Sequence, residues 1–293
     1  MADQQAAKAD RGPGMNDWHP TDDVSVFEDA AWGFLIADPV RNTVLLTVTA
    51  ILGRRGVDIH GTGAPQFGWY QPAGEAVQGV FVRTPPHPAL LSDMPVPAAE
   101  SLVAVLPAVT AVDGPASVAT RFADAWTAAN GRGTVVGDRH RLYRLADLVP
   151  PRPVPGGAAR RVGRADRDVL LAWFGAFAEE TDEPIASSAR LVDDRIENGG
   201  LTLWEVDGVP VSMAGATLPT GGMVRVAPVY TPPASRGRGY AAGVTAAVSR
   251  LARDAGHEVV LFTDLDNPTS NALYQRLGYR AVQDYRTIRL GES

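Results

Sequence analysis

The run Val229-Tyr230-Thr231-Pro232-Pro233-Ala234-Ser235-Arg236-Gly237-Arg238-Gly239-Tyr240-Ala241 constrains this chain most. It begins as an extended segment, and two prolines stop it. After it, Ala241, Val244, Val248, Leu251 and Ala255 recur at three- and four-residue intervals, which predicts a helix from about Gly239 to Ala255 with one face on a sheet. A Gly-rich turn entering a helix leaves backbone N–H groups without intrahelical partners beside the positive end of the dipole, a setting suited to a pyrophosphate. Gly237 and Gly239 let the backbone approach phosphates without a Cβ in the way, and Arg236 and Arg238 add positive charge.

Alone, the loop also reads as a turn with two solvated arginines. Gly237-x-Gly239-x-x-Ala242 further satisfies a permissive dinucleotide fingerprint, which calls for an acidic residue after the next strand, about 20 residues on. Glu258 opens that strand instead, and Asp264, which follows it, lies 27 residues after Gly237.

The surrounding pattern is legible downstream. Residues 148–157 carry four prolines and two glycines, which predicts a linker between an N-terminal lobe at 18–147 and a C-terminal domain at 158–293. In the latter, Asp166 is placed to cap a helix with Val169, Leu170, Trp173, Phe174 and Phe177 on its inner face. A short helix is expected from Ser187 to Glu197. Strands 201–206 and 209–218 flank Asp207-Gly208, a turn pair that tolerates positive φ. A strand at 223–231, the loop and its helix, a strand at 259–263, a helix at 268–277 and a strand at 282–290 complete the order α-α-β-β-β-α-β-α-β. Upstream, helices at 43–52, 98–106 and 118–130 and strands at 67–70, 77–83 and 141–145 loosely echo it. Residues 1–17 read as a flexible leader.

A second marked segment is Asn267-Pro268-Thr269-Ser270-Asn271-Ala272-Leu273-Tyr274-Gln275-Arg276-Leu277-Gly278-Tyr279. Asn267 suits an N-cap, Pro268 the first helical position and Gly278 the helix end. Asn271 and Tyr274, three apart, share a face distinct from that of Leu273 and Leu277.

Together these segments, Arg236 to Ala241 and Asn267 to Tyr279, resemble the signature of the GNAT acetyltransferases; the likeness spans about residues 161–290. It implies an α/β fold of the α+β kind, a mixed, mostly antiparallel sheet flanked by helices, in which the fourth strand splays from its neighbour. Val229, Tyr230 and Thr231 would then bind pantetheine through their backbone. Pro228 fits such an edge or bulge independently, since it cannot donate to a ladder. The resemblance further implies acetyl-CoA as co-substrate, its pyrophosphate held by Arg236, Gly237, Arg238, Gly239, Tyr240 and Ala241. Asn271 would bond the pantetheine arm and Tyr274 would protonate the departing thiolate. The upstream half, with Phe67-Gly68-Trp69-Tyr70 and Thr84-Pro85-Pro86-His87, resembles the degenerate lobe of two-lobed members. Lacking a cofactor loop, it is expected to shape the acceptor site or a homodimer contact.

Composition narrows the partners. A net charge of −6 disfavours a nucleic-acid binder and leaves a small-molecule or peptide amine as acceptor. The five histidines lack metal spacing, there is no cysteine, and no metal is expected. Val44 to Leu52 is the most apolar early segment, far short of the roughly 20 residues that span a bilayer, so a soluble cytoplasmic protein is the expectation. The acidic run Glu179 to Glu183 reads as a solvated helix end or as an attractor for a cationic amine. Glu179, Glu180, Glu205 and a water chain are the candidates for the base. Two other functions stay open: a non-catalytic acyl-CoA sensor and a nicotinamide-dependent oxidoreductase.

Overall fold

The computed structural model describes residues 17–55, 63–181 and 189–291. The expected leader lies outside them apart from Asp17, as do Asp182 and Glu183 of the acidic run and the start of the helix expected from Ser187. The chain forms two compact units, Met1–Arg141 with Gln283–Ser293, and Leu142–Val282.

The first unit contains β1 (Trp18–Thr21), α1 (Val24–Ala37), α2 (Thr43–Arg55), β2 (Gln66–Tyr70), β3 (Gly79–Arg83), β4 (Ala89–Leu91), α3 (Val96–Val105), β5 (Ala111–Pro115), α4 (Ala116–Asn130) and the start of β6 (Thr134–Leu145). Its strands run in the order β1-β2-β3-β4-β5, with the closing strand of the chain beside β5. All pairings here are antiparallel except β4 with β5. One sheet face packs Phe67, Val80 and Val82 against Phe27, Leu35 and Leu46, and the other packs Phe81, Val112 and Ile288 against Leu102 and Phe122. Strand alternation produces this division. Helix α1 was not expected from sequence; its start is fixed by Asp23, whose carboxylate accepts the N–H groups of Ser25 and Val26 at 2.8 and 3.3 Å.

The second unit takes the end of β6, then β7 (Ala158–Arg161), a short 3₁₀ turn (Arg164–Asp166), α5 (Arg167–Thr181), α6 (Ala189–Glu197), β8 (Leu201–Val206), β9 (Val209–Ala216), β10 (Met223–Tyr230), α7 (Tyr240–Asp254), β11 (Glu258–Asp264), α8 (Pro268–Arg276) and the start of β12 (Tyr279–Leu290). Its strand order is β7-β8-β9-β10-β11-β6-β12. The mixed, mostly antiparallel sheet agrees with the expected fold class: β7 to β10 pair antiparallel and β10 pairs β11 in parallel. Asp207 and Gly208 both take positive φ, 48° and 79°, as a type I′ hairpin turn requires.

The chain passes between the units inside β6, at Arg141/Leu142, and not at the expected linker. Residues 148–157 are a packed part of the second unit: Gly156 O accepts Trp204 Nε1 at 2.8 Å, and Pro155 lies against Gly239 and Gly243. Prolines stopped regular structure there without making a domain boundary. Asp166 likewise does not cap α5 directly. It is buried in the turn before it, taking Gly163 N and the Arg160 guanidinium, each at 2.8 Å.

Two cores sandwich this second sheet. Trp204, Ala214, Val224 and Val226 pack with Val244 and Val248 of α7, whereas Leu203, Met213 and Tyr230 pack with Leu170 and Phe174 of α5 and Val192 of α6. Leu251, expected inward, is exposed; Tyr240, Gly243 and Ala252 complete the buried face of α7. No described helix is long and apolar enough to cross a membrane.

Candidate functional site

Strand β10 has a break built into it. It pairs with β11 only through Met223, Arg225 and the residue between them, and with β9 its register shifts between Val226 and Val229. Val226 opposes Ala216 while Val229 opposes Ala214, so one residue is extra, at the cis Ala227-Pro228 step. The extra residue turns the following side chains over: Val226 faces the α7 core, but Tyr230, also even-numbered, faces α5. Beyond Arg225, β10 and β11 run on without pairing, and Val229, Tyr230 and Thr231 lie along the parted side. Tyr230 O accepts Ser212 Oγ at 3.0 Å, and Thr231 O accepts Arg236 Nε at 2.8 Å.

At the end of β10 the loop enters α7. Gly237 and Gly239 have φ of 76° and 82°, a region a Cβ penalises, and nothing lies within 4 Å of a Cβ built on Gly237. Gly239 is the N-cap of α7 and provides no capping side chain. The amides of Tyr240, Ala241 and Ala242 in the first turn therefore keep their donors for an outside acceptor. The Tyr240 side chain is core, which leaves only its backbone to the site. The two arginines differ. Arg236 grips both oxygens of Glu180 at 2.8 and 2.6 Å and lies over the Tyr230 ring, so its guanidinium is already engaged within the protein. Arg238 is exposed and has no ion pair or hydrogen bond with another described side chain.

Asn271 is also more occupied than expected. Its amide donates to Asp264 O and Asn267 O at 2.7 and 2.8 Å, and its oxygen accepts the Tyr143 hydroxyl at 2.9 Å. The side chain thus ties α8 to the end of β11 and to β6 instead of presenting a free amide. Asn267 caps α8 as expected, accepting Ser270 N at 3.0 Å. Tyr274, one turn further on, is buried edge-on against Tyr279, and its hydroxyl bonds no other described residue.

Residues 167–279 match the sequence model of the "Acetyltransferase (GNAT) family". This segment belongs to the GNAT acetyltransferase family. Membership implies acyl transfer from an acyl-CoA. Solved structures agree in fold: a GNAT-family acetyltransferase from Colwellia psychrerythraea, 10% identical, has a TM-score of 0.58 and covers 94% of this chain and 99% of its own. A GCN5-related N-acetyltransferase from Sphaerobacter thermophilus has a TM-score of 0.54 at 17% identity, covering 88% and 94%. Another, from Kribbella flavida, has a TM-score of 0.53 at 20% identity, covering 74% and 89%. No curated protein matches the sequence.

Within the GNAT domain the candidate bases are unequal. Glu205 is paired with Arg160. Glu180 is bound by Arg236 and takes the Tyr230 hydroxyl at 3.2 Å, while Glu179 is exposed. Asp264, the acidic residue a nucleotide ribose would need, spends Oδ1 on Asp266 N at 2.8 Å. Sequence reasoning missed Tyr143 and Gln275, whose side chains bond each other at 3.0 Å beneath Asn271, and Arg195, whose guanidinium reaches the β10 bulge. No local signal marks them, because every partner is distant in sequence.

Burial pushes the Tyr274 hydroxyl up to about 12 and raises Tyr279 as well, the latter despite its bond to Ser249. Both folded values lie above the roughly 10 of an unfolded tyrosine, so above that pH the folded state holds more protons and loses stability as pH rises. Thermal unfolding is expected to change little through pH 9 and to fall from pH 10 upward, less steeply in Tyr274→Phe. An equal decline in the variant would show that Tyr274 is not responsible.

Proposed function

We propose that the GNAT domain transfers an acetyl group from acetyl-CoA to a primary amine by direct attack. The parting of β10 from β11, continuous with the uncapped, glycine-bearing start of α7, carries this reading: the chain there offers an anion cradle and a strand edge in one line. When bound, acetyl-CoA supplies an activated thioester. The acceptor nitrogen forms the C–N bond and sheds a proton as the C–S bond breaks and sulfur gains one.

The amides of residues 237–242 and the Arg238 guanidinium hold the pyrophosphate, while Arg236 fixes the loop through Thr231 and Glu180. Backbone groups of Val229, Tyr230 and Thr231 align the pantetheine arm. Asn271 acts by holding α8, and hence Tyr274, in place. A hydroxyl with a value near 12 stays protonated at neutral pH and donates to the developing thiolate. Complete transfer to a thiolate, with a value of about 8.5, runs uphill, so Tyr274 stabilises charge and solvent finally supplies the proton.

Arg238→Ala is expected to weaken acetyl-CoA binding by about 10-fold, more at low salt, since an exposed charge-assisted phosphate contact is screened. Calorimetry at two ionic strengths checks this; unchanged affinity at both removes Arg238 from the site. The function itself is tested by offering a panel of amines with acetyl-CoA and following thiol release. Turnover with at least one amine is expected, and acetyl-CoA binding without any turnover would favour a sensor.

A further inference from the structure

Arg195 sits at the inner end of the parted strands. It lies on α6, and its Nη1 donates to Ala227 O at 2.6 Å, at the extra residue of the β10 bulge. Space for it comes from Gly215 on β9: a Cβ there would lie 2.6 Å from Arg195 Nη1 and closer still to the Ala227 carbonyl. The residue is half-buried, yet its guanidinium is sunk deeply enough that lost solvation pulls it down to about 10. No carboxylate of another described residue pairs with it. Asp193, two positions before, is committed to Arg167. A deep cation compensated by one carbonyl is electrostatically incomplete, and an arriving anion would recover part of the lost solvation.

Its place along β10 indicates which anion. If pyrophosphate lies at the start of α7, an extended arm running back along β10 brings its reactive end toward Val226 to Pro228, beside the carbonyl that Arg195 holds. A group bound by Arg195 there belongs to the acceptor, at the opposite end of the strand from the phosphates. The planar guanidinium keeps Nε and Nη2 for it, a fork that matches a carboxylate.

We propose that Arg195 binds a carboxylate of the acceptor, so that the amines acetylated by this domain are amino acids or similar acid-bearing amines. This rests on the acetyl-transfer reading above and narrows it to a substrate class.

The test compares matched pairs, each an amino acid and its carboxamide, by thiol release from acetyl-CoA, with a parallel acetyl-CoA titration. In the parent protein kcat/KM should favour the acid by at least about 10-fold, the scale of a charge-assisted bond. Arg195→Gln should bring the ratio near one, and Arg195→Lys should keep part of it. Because the parent comparison needs no variant, a misfolded Arg195→Gln leaves the test intact. The proposal is overturned if amides react as fast as acids. Equal loss toward both members of a pair in a folded Arg195→Gln also overturns it, since Arg195 would then only prop the Ala227 carbonyl. So does acetyl-CoA binding with no turnover of any acid-bearing amine. Failure of acetyl-CoA to bind at all contradicts the underlying reading and takes this one with it; the titration alone recognises that case.

Discussion

Gly239→Val is expected to weaken acetyl-CoA binding by about 10²–10³-fold while the domain still folds. Gly239 holds φ at 82° as the N-cap of α7, a conformation that a β-branched residue resists. Valine therefore moves the backbone, and the amides of Tyr240, Ala241 and Ala242 lose their common aim. Losing alignment of two or three charge-assisted donors gives the stated magnitude. Pro155 lies 3.6 Å from a Cβ at this position, an ordinary contact, so sterics alone do not unfold the protein. Calorimetry with thermal unfolding as control checks both parts. A folded variant with parental affinity would separate the loop from the cofactor.

Tyr274→Phe should lower kcat by about 10²-fold with acetyl-CoA affinity unchanged, the effect of removing one donor aimed at developing charge. Phenylalanine keeps the buried ring against Tyr279 and deletes a hydroxyl that bonds no other described residue, so the fold should lose little. The expectation is smaller than for an obligatory general acid, because a hydroxyl near 12 donates a hydrogen bond more readily than a proton. Single-turnover rates and cofactor Kd from one preparation separate chemistry from binding. An equally active variant would remove Tyr274 from the mechanism and leave the cofactor loop standing.

What could be seen in the sequence was what is local. The β8–β9 hairpin followed from the φ demands of Asp207-Gly208, α8 from Asn267-Pro268 and Gly278, and the loop from its two glycines. Helix α1 was hidden because apolar residues surround it: Val26, Trp32 and Ile36 are exposed while Phe27, Ala31 and Leu35 are buried, which erases the period. Strand β5 ends in Gly114-Pro115, which reads as a break, and β4 has only three residues. The site's tertiary partners were invisible for another reason. Glu180 meets Arg236 from 56 positions away and Tyr143 meets Asn271 from 128, separations that no motif spacing encodes. Those contacts engage the Arg236 guanidinium and the Asn271 amide within the protein.

The central claim, that β10 and the start of α7 receive a CoA thioester, is tested most directly by calorimetric titration of the parent protein with acetyl-CoA and, separately, with NADH. One acetyl-CoA bound per chain is expected, with affinity lost in Gly239→Val and no NADH binding. Saturable NADH binding with none for acetyl-CoA or CoA would contradict it.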